Sequence, residues 1–378
     1  MLRYLTAGES HGKAITAILE GMPANLAISA SDIDRELERR QLGYGRGGRM
    51  AIENDKVQIL SGIRLGKTLG SPIALMIENK DYENWKKIMP VEADKSIFQE
   101  PLTNLRPGHA DLTGCLKYNQ QDIRNILERA SARSTVSLVA AGAIVKKLLR
   151  EFKISIFSHV VQIADIKASR NIAKDLIEIG RLAEKSDIRC ADEKASAQMK
   201  KAIDSAREQG DSVGGVFEVV VLGCPVGLGS HVHLDRRLSG KLAQAVMSIQ
   251  SIKGVEIGLG FEAASLPGSK AHDEIFVEND KFVRHTNNAG GLEGGITNGQ
   301  PVIIRAAVKP IATIAKPLNS ADLVTKEQVK AHVERADVCH VPSAGIIAEA
   351  AVAIEIANAF LEKYGGDSIQ EIAKHYTV

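Results

Sequence analysis

The stretch LRYLTAGESHGKAITAILEG, residues 2–21, sets two short apolar runs on either side of a glycine-rich turn. Residues 2–6 and 14–19 have the patterns of short strands, so we predict two paired strands. The turn between them has the G-x-S-x-G pattern of a serine hydrolase around Ser10. That pattern requires a strand before it and a helix after it. Because a second strand follows instead, we interpret the turn as a place where Ser10 and His11 approach a ligand.

Outward from this hairpin, strands and helices follow in blocks and not in strict alternation. Strands are predicted at residues 57–61, 73–77, 154–161, 216–222 and 302–308, and helices at 29–41, 122–150, 196–208, 234–248, 326–335 and 344–364. Such blocks are typical of α+β folds with antiparallel sheets. Residues 79–108 show no periodic pattern, so we predict a mobile loop that covers a binding site. No composition break marks a linker, and we therefore expect a single domain over residues 1–378.

The composition excludes several classes of protein. A net charge of +2 excludes a globally basic nucleic-acid binder. No apolar run is expected to reach the ~18 residues of a membrane span, and no signal peptide is predicted. The four cysteines are scattered without a C-x-x-C pair. This spacing indicates neither a disulfide framework nor a zinc site and favours the reducing cytoplasm.

Several arginines lie next to glycine or other small residues, where the backbone can approach a ligand closely. They are Arg40, Arg46 and Arg49 in and beside GYGRGG, Arg106 in RPGHAD, Arg129 and Arg133 in RASARST, and Arg335 in ERADVCHVP. GYGRGG has the spacing of a dinucleotide site but follows a charged helix instead of a strand. Guanidinium groups bind carboxylate and phosphate bidentately, so their convergence would form a strongly positive pocket for a polyanion. For any one of them alone, a surface ion pair is the simpler explanation.

Two histidines are candidates for proton transfer. His11 and His109 lie in glycine-containing turns and not on an apolar face, and histidine titrates near neutral pH. The segment HVHLD offers metal-ligand residue types at His231, His233 and Asp235. Because no further ligand occurs at a recognisable spacing, we expect no metal site there.

Four longer blocks occur in the order AGESHGKAITAILEGMPA, RRQLGYGRGGRM, RPGHADLTGCLKYNQQDIRNILERASAR and RADVCHVPSAGIIAEAA. In these blocks, and along essentially its whole length, the chain resembles the chorismate synthase family. That family converts 5-enolpyruvylshikimate 3-phosphate to chorismate by anti 1,4-elimination of phosphate, the last common step of the shikimate pathway. It requires reduced FMN although no net redox change occurs. The resemblance implies a fold with helices between antiparallel sheets, assembled as a homotetramer.

The resemblance also implies roles for individual residues. His11 is expected to protonate the departing phosphate and His109 to protonate or stabilise reduced FMN near N1, while Ser10 and Asp337 assist removal of the C6 proton. FMN contacts are expected at Arg129, Ala130, Ser131, Gln250, Ser251, Gly294, Lys309, Pro310, Ile311, Ala312, Thr313 and Arg335. Substrate, and NADP in some members, is expected at Arg40, Arg46, Arg49, Arg106 and Arg133. Nothing indicates that the chain reduces FMN itself, so we expect a separate flavin reductase, with NADPH as one source of electrons.

Three positions depart from the family pattern. Asn25 replaces glycine, which requires asparagine to accept a positive φ. Ser134 stands where glutamate is common, and HVHLD replaces an apolar run that contains proline. None of these is a proposed proton-transfer residue. Two alternatives remain open, a non-catalytic polyanion-binding protein and a serine hydrolase built on the GESHG turn.

Overall fold

The described part of the chain comprises residues 1–47, 54–93, 99–169, 175–334 and 336–376 of a computed structural model. Its strands are β1 (Arg3–Ala7), β2 (Ala14–Glu20), β3 (Val57–Ile59), β4 (Ile63–Arg64), β5 (Lys67–Thr68), β6 (Ile73–Glu78), β7 (Ser155–Ile163), β8 (Ile166–Lys167), β9 (Gly215–Leu222), β10 (Ile252–Ile257), β11 (Phe276–Glu278), β12 (Lys281–Val283), β13 (Leu292–Glu293), β14 (Ile296–Thr297), β15 (Val302–Val308), β16 (Asn319–Ala321) and β17 (Gln328–Lys330). Its helices are α1 (Ala30–Gln41), α2 (Tyr82–Trp85), α3 (Asp111–Tyr118), α4 (Arg124–Ala130), α5 (Thr135–Glu151), α6 (Leu176–Lys185), α7 (Glu193–Glu208), α8 (Leu238–Met247), α9 (Gly268–Ala271), α10 (Val341–Tyr364) and α11 (Ile369–His375). Short 3₁₀ turns lie at Ala132–Ser134, Leu234–Arg236 and Gly260–Ser265.

Two antiparallel sheets form the outer layers of the fold. The first has the strand order β1-β2-β6-β3 and the second β10-β15-β9-β7-β8. The opening hairpin is confirmed, since β1 and β2 pair from Arg3 with Glu20 to Ala7 with Thr16. Strand β15 begins and ends at the predicted residues and pairs with both β9 and β10. The predicted α+β class with antiparallel sheets is therefore confirmed.

Helices fill the space between the two sheets. α1 and α5 pack against the first sheet, while α8 and α10 pack against the second. α5 and α10 also pack closely against each other: a Cβ added to Gly142 would lie 2.3 Å from the Cβ of Ala350. Small residues at this crossing allow the two helix backbones to approach each other. The layering that the family resemblance implies is therefore confirmed.

Helix α10 is apolar along most of its length. By length and hydropathy it could cross a membrane, but 89% of its most apolar window is buried inside the protein. The sequence prediction that no apolar run reaches membrane length is therefore wrong for Val341–Tyr364. Its position between the sheets explains the composition, because a helix buried on every side has no polar face.

A cluster of charged side chains is buried where α1, α5 and α10 meet. Lys146 lies 2.7 Å from Glu36 and 2.6 Å from Glu349. Arg39 contacts the same two carboxylates at 2.6 and 2.8 Å. Burial would raise the pKa of Glu349, but the charges of Arg39 and Lys146 outweigh burial and lower it. These pairs connect the three helices and fix the end of α1, from which Arg40 reaches a cavity.

The structure corrects the helix predicted at residues 122–150. α4 ends at Ala130, Ser131 has extended backbone angles, and a 3₁₀ turn precedes α5. The Ser131 hydroxyl accepts the backbone N–H of Arg133, a local bond that competes with helix continuation. The break therefore turns the chain inward just before α5.

The predicted helix at residues 326–335 is wrong. Gln328–Lys330 forms β17, which pairs with β16 in a two-stranded sheet. Only Val329 and Val333 are large apolar residues in this segment, so a helix there would have little apolar surface to bury. The predicted helix at 234–248 is confirmed from Leu238 onward, after a 3₁₀ turn. The sequence analysis missed α3, α6, α11 and β10.

Asn25 adopts the left-handed backbone conformation that its position requires. Its φ is 70°, which asparagine tolerates better than most residues. Its backbone N–H donates to the Thr68 carbonyl at 2.9 Å, and its side chain donates to Gln370 at 3.1 Å. The replacement of glycine at this position is thus accommodated locally.

Candidate active site

A cavity of about 460 Å³ lies where the β1–β2 turn, the α4–α5 junction and the start of α10 meet. Ser10 and His11 reach it from the first turn, and His109 reaches it from the loop before α3. Its wall also contains four of the predicted arginines, Arg40, Arg46, Arg106 and Arg133. Arg49 and Arg335, which the sequence analysis groups with them, lie outside the described residues.

Glu128 and Trp85 hold His11 from two sides. Glu128 Oε1 lies 2.7 Å from His11 Nδ1, and Oε2 accepts the His11 backbone N–H at 2.6 Å. Trp85 stacks on the imidazole with ring centroids 3.8 Å apart. The turn itself is fixed by Asn79, whose amide donates to the Glu9 carbonyl at 3.0 Å. Because Nδ1 is bonded to a buried carboxylate, Nε2 is the ring nitrogen left for a ligand.

Asp111 anchors the second histidine together with Arg106. His109 Nδ1 lies 2.5 Å from Asp111 Oδ1, and Arg106 donates to the same carboxylate at 2.8 and 3.0 Å. Burial would raise the pKa of Asp111, but hydrogen bonds from His109 and Arg106 outweigh burial and lower it to about 2. Arg106 also pairs with Glu334 at 3.1 Å. Asp111 is therefore charged at neutral pH and fixes both side chains.

One buried carboxylate serves two of the arginines. Asp55 accepts from Arg40 at 2.9 Å and from Arg133 at 2.5 Å. Burial, opposed by the charge of Asp55 and assisted by those of Arg133 and Arg46, lowers the pKa of Arg40 to about 10. Within the described ranges, the Nε of Arg40 has no hydrogen-bond partner. Two guanidinium groups and one carboxylate leave an excess positive charge that an anion can neutralise.

Carboxylates balance part of the arginine charge on the cavity wall. Arg46 pairs with Asp337 at 2.7 Å and donates to Ser343 Oγ at 3.0 Å. Together with Asp55 and Asp111, this means that each of the four arginines on the wall has a carboxylate partner. The strongly positive pocket was expected from the convergence of all seven arginines, of which Arg49 and Arg335 lie outside the described residues, so it stays a prediction.

Ser10 is buried in the turn between two strands. Its N–H donates to the Glu128 carbonyl at 3.0 Å, and its hydroxyl accepts from Ser131 Oγ at 3.1 Å. Asp337 accepts the Gly47 N–H at 2.6 Å as well as the Arg46 pair. Ser10 and Asp337 thus line the same cavity, but these hydrogen bonds share no partner. The strand-turn-helix context of a hydrolase elbow is not found at Ser10, which argues against that alternative.

Eight of the expected flavin contacts lie on the cavity wall: Ala130, Ser131, Gln250, Ser251, Lys309, Ile311, Ala312 and Thr313. Pro310 lines an adjoining groove of about 280 Å³. Arg129 instead donates to the carbonyls of Thr6 and Gly8, at 2.9 and 3.1 Å. Gly294 lies in the turn between β13 and β14. The roles of all these residues stay predictions.

Ser134, where the family commonly has glutamate, takes part in the same region through its hydroxyl. Gln250 donates to Ser134 Oγ at 3.0 Å, and Ser134 donates to the Ser131 carbonyl at 2.9 Å. The serine therefore links the α4–α5 junction to the segment before β10.

The sequence analysis missed most of the partners that hold the predicted residues. Glu128 is 117 positions from His11, and no local pattern connects Asp55 to the arginines that it binds. Asp111 could have been predicted as a partner, since it lies two residues after His109 in RPGHAD. His340 also lines the cavity, and burial is the main reason that its pKa falls to about 4. It is therefore neutral at pH 7.

The HVHLD segment lies at the surface. His231 and His233 are exposed, and a 3₁₀ turn at Leu234–Arg236 follows them. In the described part of the chain, no group of three or more histidine, cysteine, aspartate or glutamate side chains is arranged to hold a metal ion.

Comparisons with known proteins agree on one family. A family model described as chorismate synthase matches residues 2–361. A chorismate synthase of Syntrophotalea carbinolica is 58% identical over 374 residues, covering 99% of this chain and 96% of the relative. A chorismate synthase of Aquifex aeolicus is 55% identical over 383 residues, with the same two coverages. A chorismate synthase crystal structure, 46% identical, superposes with a TM-score of 0.79 and covers 99% of this chain and 96% of that one.

Proposed function

The chain belongs to the chorismate synthase family, and from that premise we propose that the cavity around His11 and His109 is the site of its reaction. The enzyme is a lyase that eliminates phosphate from 5-enolpyruvylshikimate 3-phosphate to give chorismate. One observation carries the proposal: two histidines, four arginines and three expected flavin-contact segments, distant in sequence, line a single cavity. Its volume of about 460 Å³ is in the range of small-molecule sites.

In this proposal the arginines bind the anionic groups of the substrate. The substrate carries two carboxylates and a phosphate, and each is a good partner for a guanidinium fork. Arg40 and Arg133 share the single carboxylate of Asp55, so these three side chains carry one excess positive charge. An incoming anion supplies the negative charge that balances it. Arg46, Arg49 and Arg106 are the other arginines that we propose bind the substrate.

We assign reduced FMN to the same cavity. Ala130, Ser131, Gln250, Ser251 and residues 309–313 would hold it, with Arg129, Gly294 and Arg335 added by family position. The wall fits such a group, because apolar side chains such as Ile311 and Ile347 suit a flat ring and Lys309 suits a phosphate. When bound, reduced FMN supplies electron density that assists cleavage of the allylic C–O bond.

In this proposal, His11, His109, Ser10 and Asp337 take part in proton transfer or stabilise charge. His11 donates from Nε2 to the departing phosphate, since its Nδ1 is already bonded to a carboxylate. His109 is held by Asp111 at Nδ1 and also contacts the Arg106 guanidinium, and it would stabilise the negative charge of reduced FMN. Ser10 and Asp337 assist removal of the proton from C6.

We infer the cellular compartment, the assembly and the electron supply of the enzyme from the family and from its cysteines. All four cysteines are buried and free, as suits a reducing cytoplasm. We propose that the chain assembles as a homotetramer. We also propose that a separate flavin reductase supplies reduced FMN, with NADPH as the electron source. The arginines that bind substrate are also the candidate contacts for NADPH.

Anaerobic phosphate release tests the proposal. With substrate and reduced FMN, the chain is expected to release phosphate and form chorismate, and with oxidised FMN to do neither. His11→Asn is expected to lower turnover by about 10²–10⁴. His272→Asn, which changes an exposed histidine that is not part of the cavity wall, is the matched control and should leave turnover unchanged. Equal release with oxidised FMN would refute the cofactor assignment, and full activity of His11→Asn would refute the role of His11.

A further inference from the structure

Glu128 makes three contacts with two consecutive residues of the first turn. Its carbonyl accepts the Ser10 N–H at 3.0 Å, and its carboxylate accepts both the backbone N–H and the Nδ1 side of His11. The Glu128 side chain is only 2% exposed. One residue of α4 therefore fixes the backbone of the turn and the orientation of the imidazole ring at the same time.

The carboxylate of Glu128 has a simpler set of partners than that of Asp111. Asp111 is shared between His109 and Arg106, so an arginine neutralises it whatever the state of the histidine. Across the residues that the structure describes, Glu128 forms no ion pair with lysine or arginine. A buried carboxylate is costly unless hydrogen bonds satisfy it. The backbone N–H and the Nδ1 side of His11 are the contacts that the structure gives this carboxylate.

Trp85 covers the ring of His11. The two rings are stacked with 19° between their planes, and the indole N–H donates to Asp81 at 3.0 Å, which fixes the tryptophan. Trp85 therefore fixes the plane of the imidazole ring, while Glu128 holds its Nδ1 edge.

We propose that Glu128 is the positioning residue of His11: it holds the Nδ1 edge of the ring and directs Nε2 into the cavity, while Trp85 fixes the plane of the ring. This inference rests on the proposed role of His11 as proton donor. It adds to that role the contacts that orient the imidazole ring toward a leaving group.

The test uses Trp85 as a reporter, because it is the only tryptophan in the chain. An imidazolium in contact with indole quenches its fluorescence more than a neutral imidazole does, so a pH titration of the full chain without flavin reports on His11. His11→Asn should abolish the transition. In Glu128→Gln the midpoint should fall by about one to three pH units, the effect of removing an adjacent opposite charge.

The matched control is Glu9→Gln, which removes an exposed carboxylate from the same turn. It should move the midpoint by less than about 0.5 pH unit, as expected for a solvated charge. Asp81, which holds Trp85, is kept in Glu128→Gln. So are the other charged or titratable groups of the cavity wall: Arg40, Arg46, Arg106, His109, Arg133, Lys309, Glu334, Asp337 and His340. If the two variants shift the midpoint equally, or if neither shifts it, the inference is overturned.

A second readout separates this inference from the proposed function. If protonated His11 is the acid, activity is lost as pH rises through its pKa, so Glu128→Gln should lose activity at a lower pH by the same shift. A fluorescence shift without a change in the activity profile would support the Glu128 assignment but refute His11 as the donor. Should Glu128→Gln fail to fold, Glu128→Asp keeps the charge, and its midpoint must stay within about one pH unit of the parent. A larger fall would overturn the inference.

Discussion

Replacing Asp55 with asparagine tests how the cavity holds two of its arginines. Asparagine keeps the size of the side chain but removes the charge that Arg40 and Arg133 share at 2.9 and 2.5 Å. Removing one partner of a buried ion pair typically costs about 3–5 kcal/mol. Here two guanidinium groups lose the same carboxylate, so we expect a loss in the upper part of that range. This is a large share of the ~5–15 kcal/mol by which native proteins are stable.

Urea unfolding of the ligand-free chain at neutral pH, followed by circular dichroism, measures this loss. Asp187→Asn is the matched control, because Asp187 pairs with Lys200 at 2.7 Å in a half-exposed position. A pair of that kind contributes less than about 1 kcal/mol. Equal losses in the two variants would refute the argument that Asp55 balances two buried charges.

Inorganic phosphate provides a second measurement on Asp55→Asn. An anion that binds only the folded chain adds about 2.7 kcal/mol when present at 100 times its Kd. We expect phosphate to stabilise the variant more than the parent, because the variant has lost its internal anion. Equal stabilisation would mean that Arg40 and Arg133 do not form the anion site.

The other predictions concern His109, Asp111 and the crossing of two helices. His109→Ala should lower turnover by about 10²–10⁴ with substrate affinity, measured by equilibrium binding, nearly unchanged; lost affinity at full turnover would contradict its role. The folded pKa of Asp111 is about 2 against an ordinary 3.8, so its stabilisation is present above pH 3.8 and lost as pH falls through 2. Asp111→Asn should therefore cost roughly 2 kcal/mol in urea unfolding at neutral pH, and the difference should disappear in acid; a difference independent of pH would contradict this linkage. Gly142→Ala should cost about 1–3 kcal/mol in the same assay, because the new methyl group overlaps Ala350; an unchanged stability would show that the helices can separate freely.

Parts of the fold that repeat a simple pattern were predictable from the sequence. β2 and β15 are nearly continuous apolar runs of strand length, their residues mostly alternate between buried and less buried positions, and both strands form as predicted. The break at Ser131 was not predictable from periodicity, because the helical pattern continues through it and a single side-chain hydrogen bond decides the outcome. For residues 326–335 the charged composition allowed a helix, whereas pairing with β16 determined the structure.

The cations of the site were more predictable from the sequence than its anions, of which only Asp337 was named. Arginine and histidine beside glycine are visible in sequence, and four arginines and both histidines line one cavity. Their partners are set by the tertiary fold: Asp55 reaches Arg133 across 78 positions, and Glu128 reaches His11 across 117. Since acidic residues are common on any surface, nothing in the sequence distinguishes these from solvated ones.

The contact between Gly142 and Ala350 has a bearing on how sequences of this kind can diverge. The two helices that touch there begin at the cavity, with Arg133 just before one and Ser343 in the first turn of the other. A change in the spacing of these helices deep in the apolar interior would therefore move two parts of the cavity wall together. We expect a methyl group added at this distant crossing to alter ligand binding in the cavity while every side chain of its wall is retained.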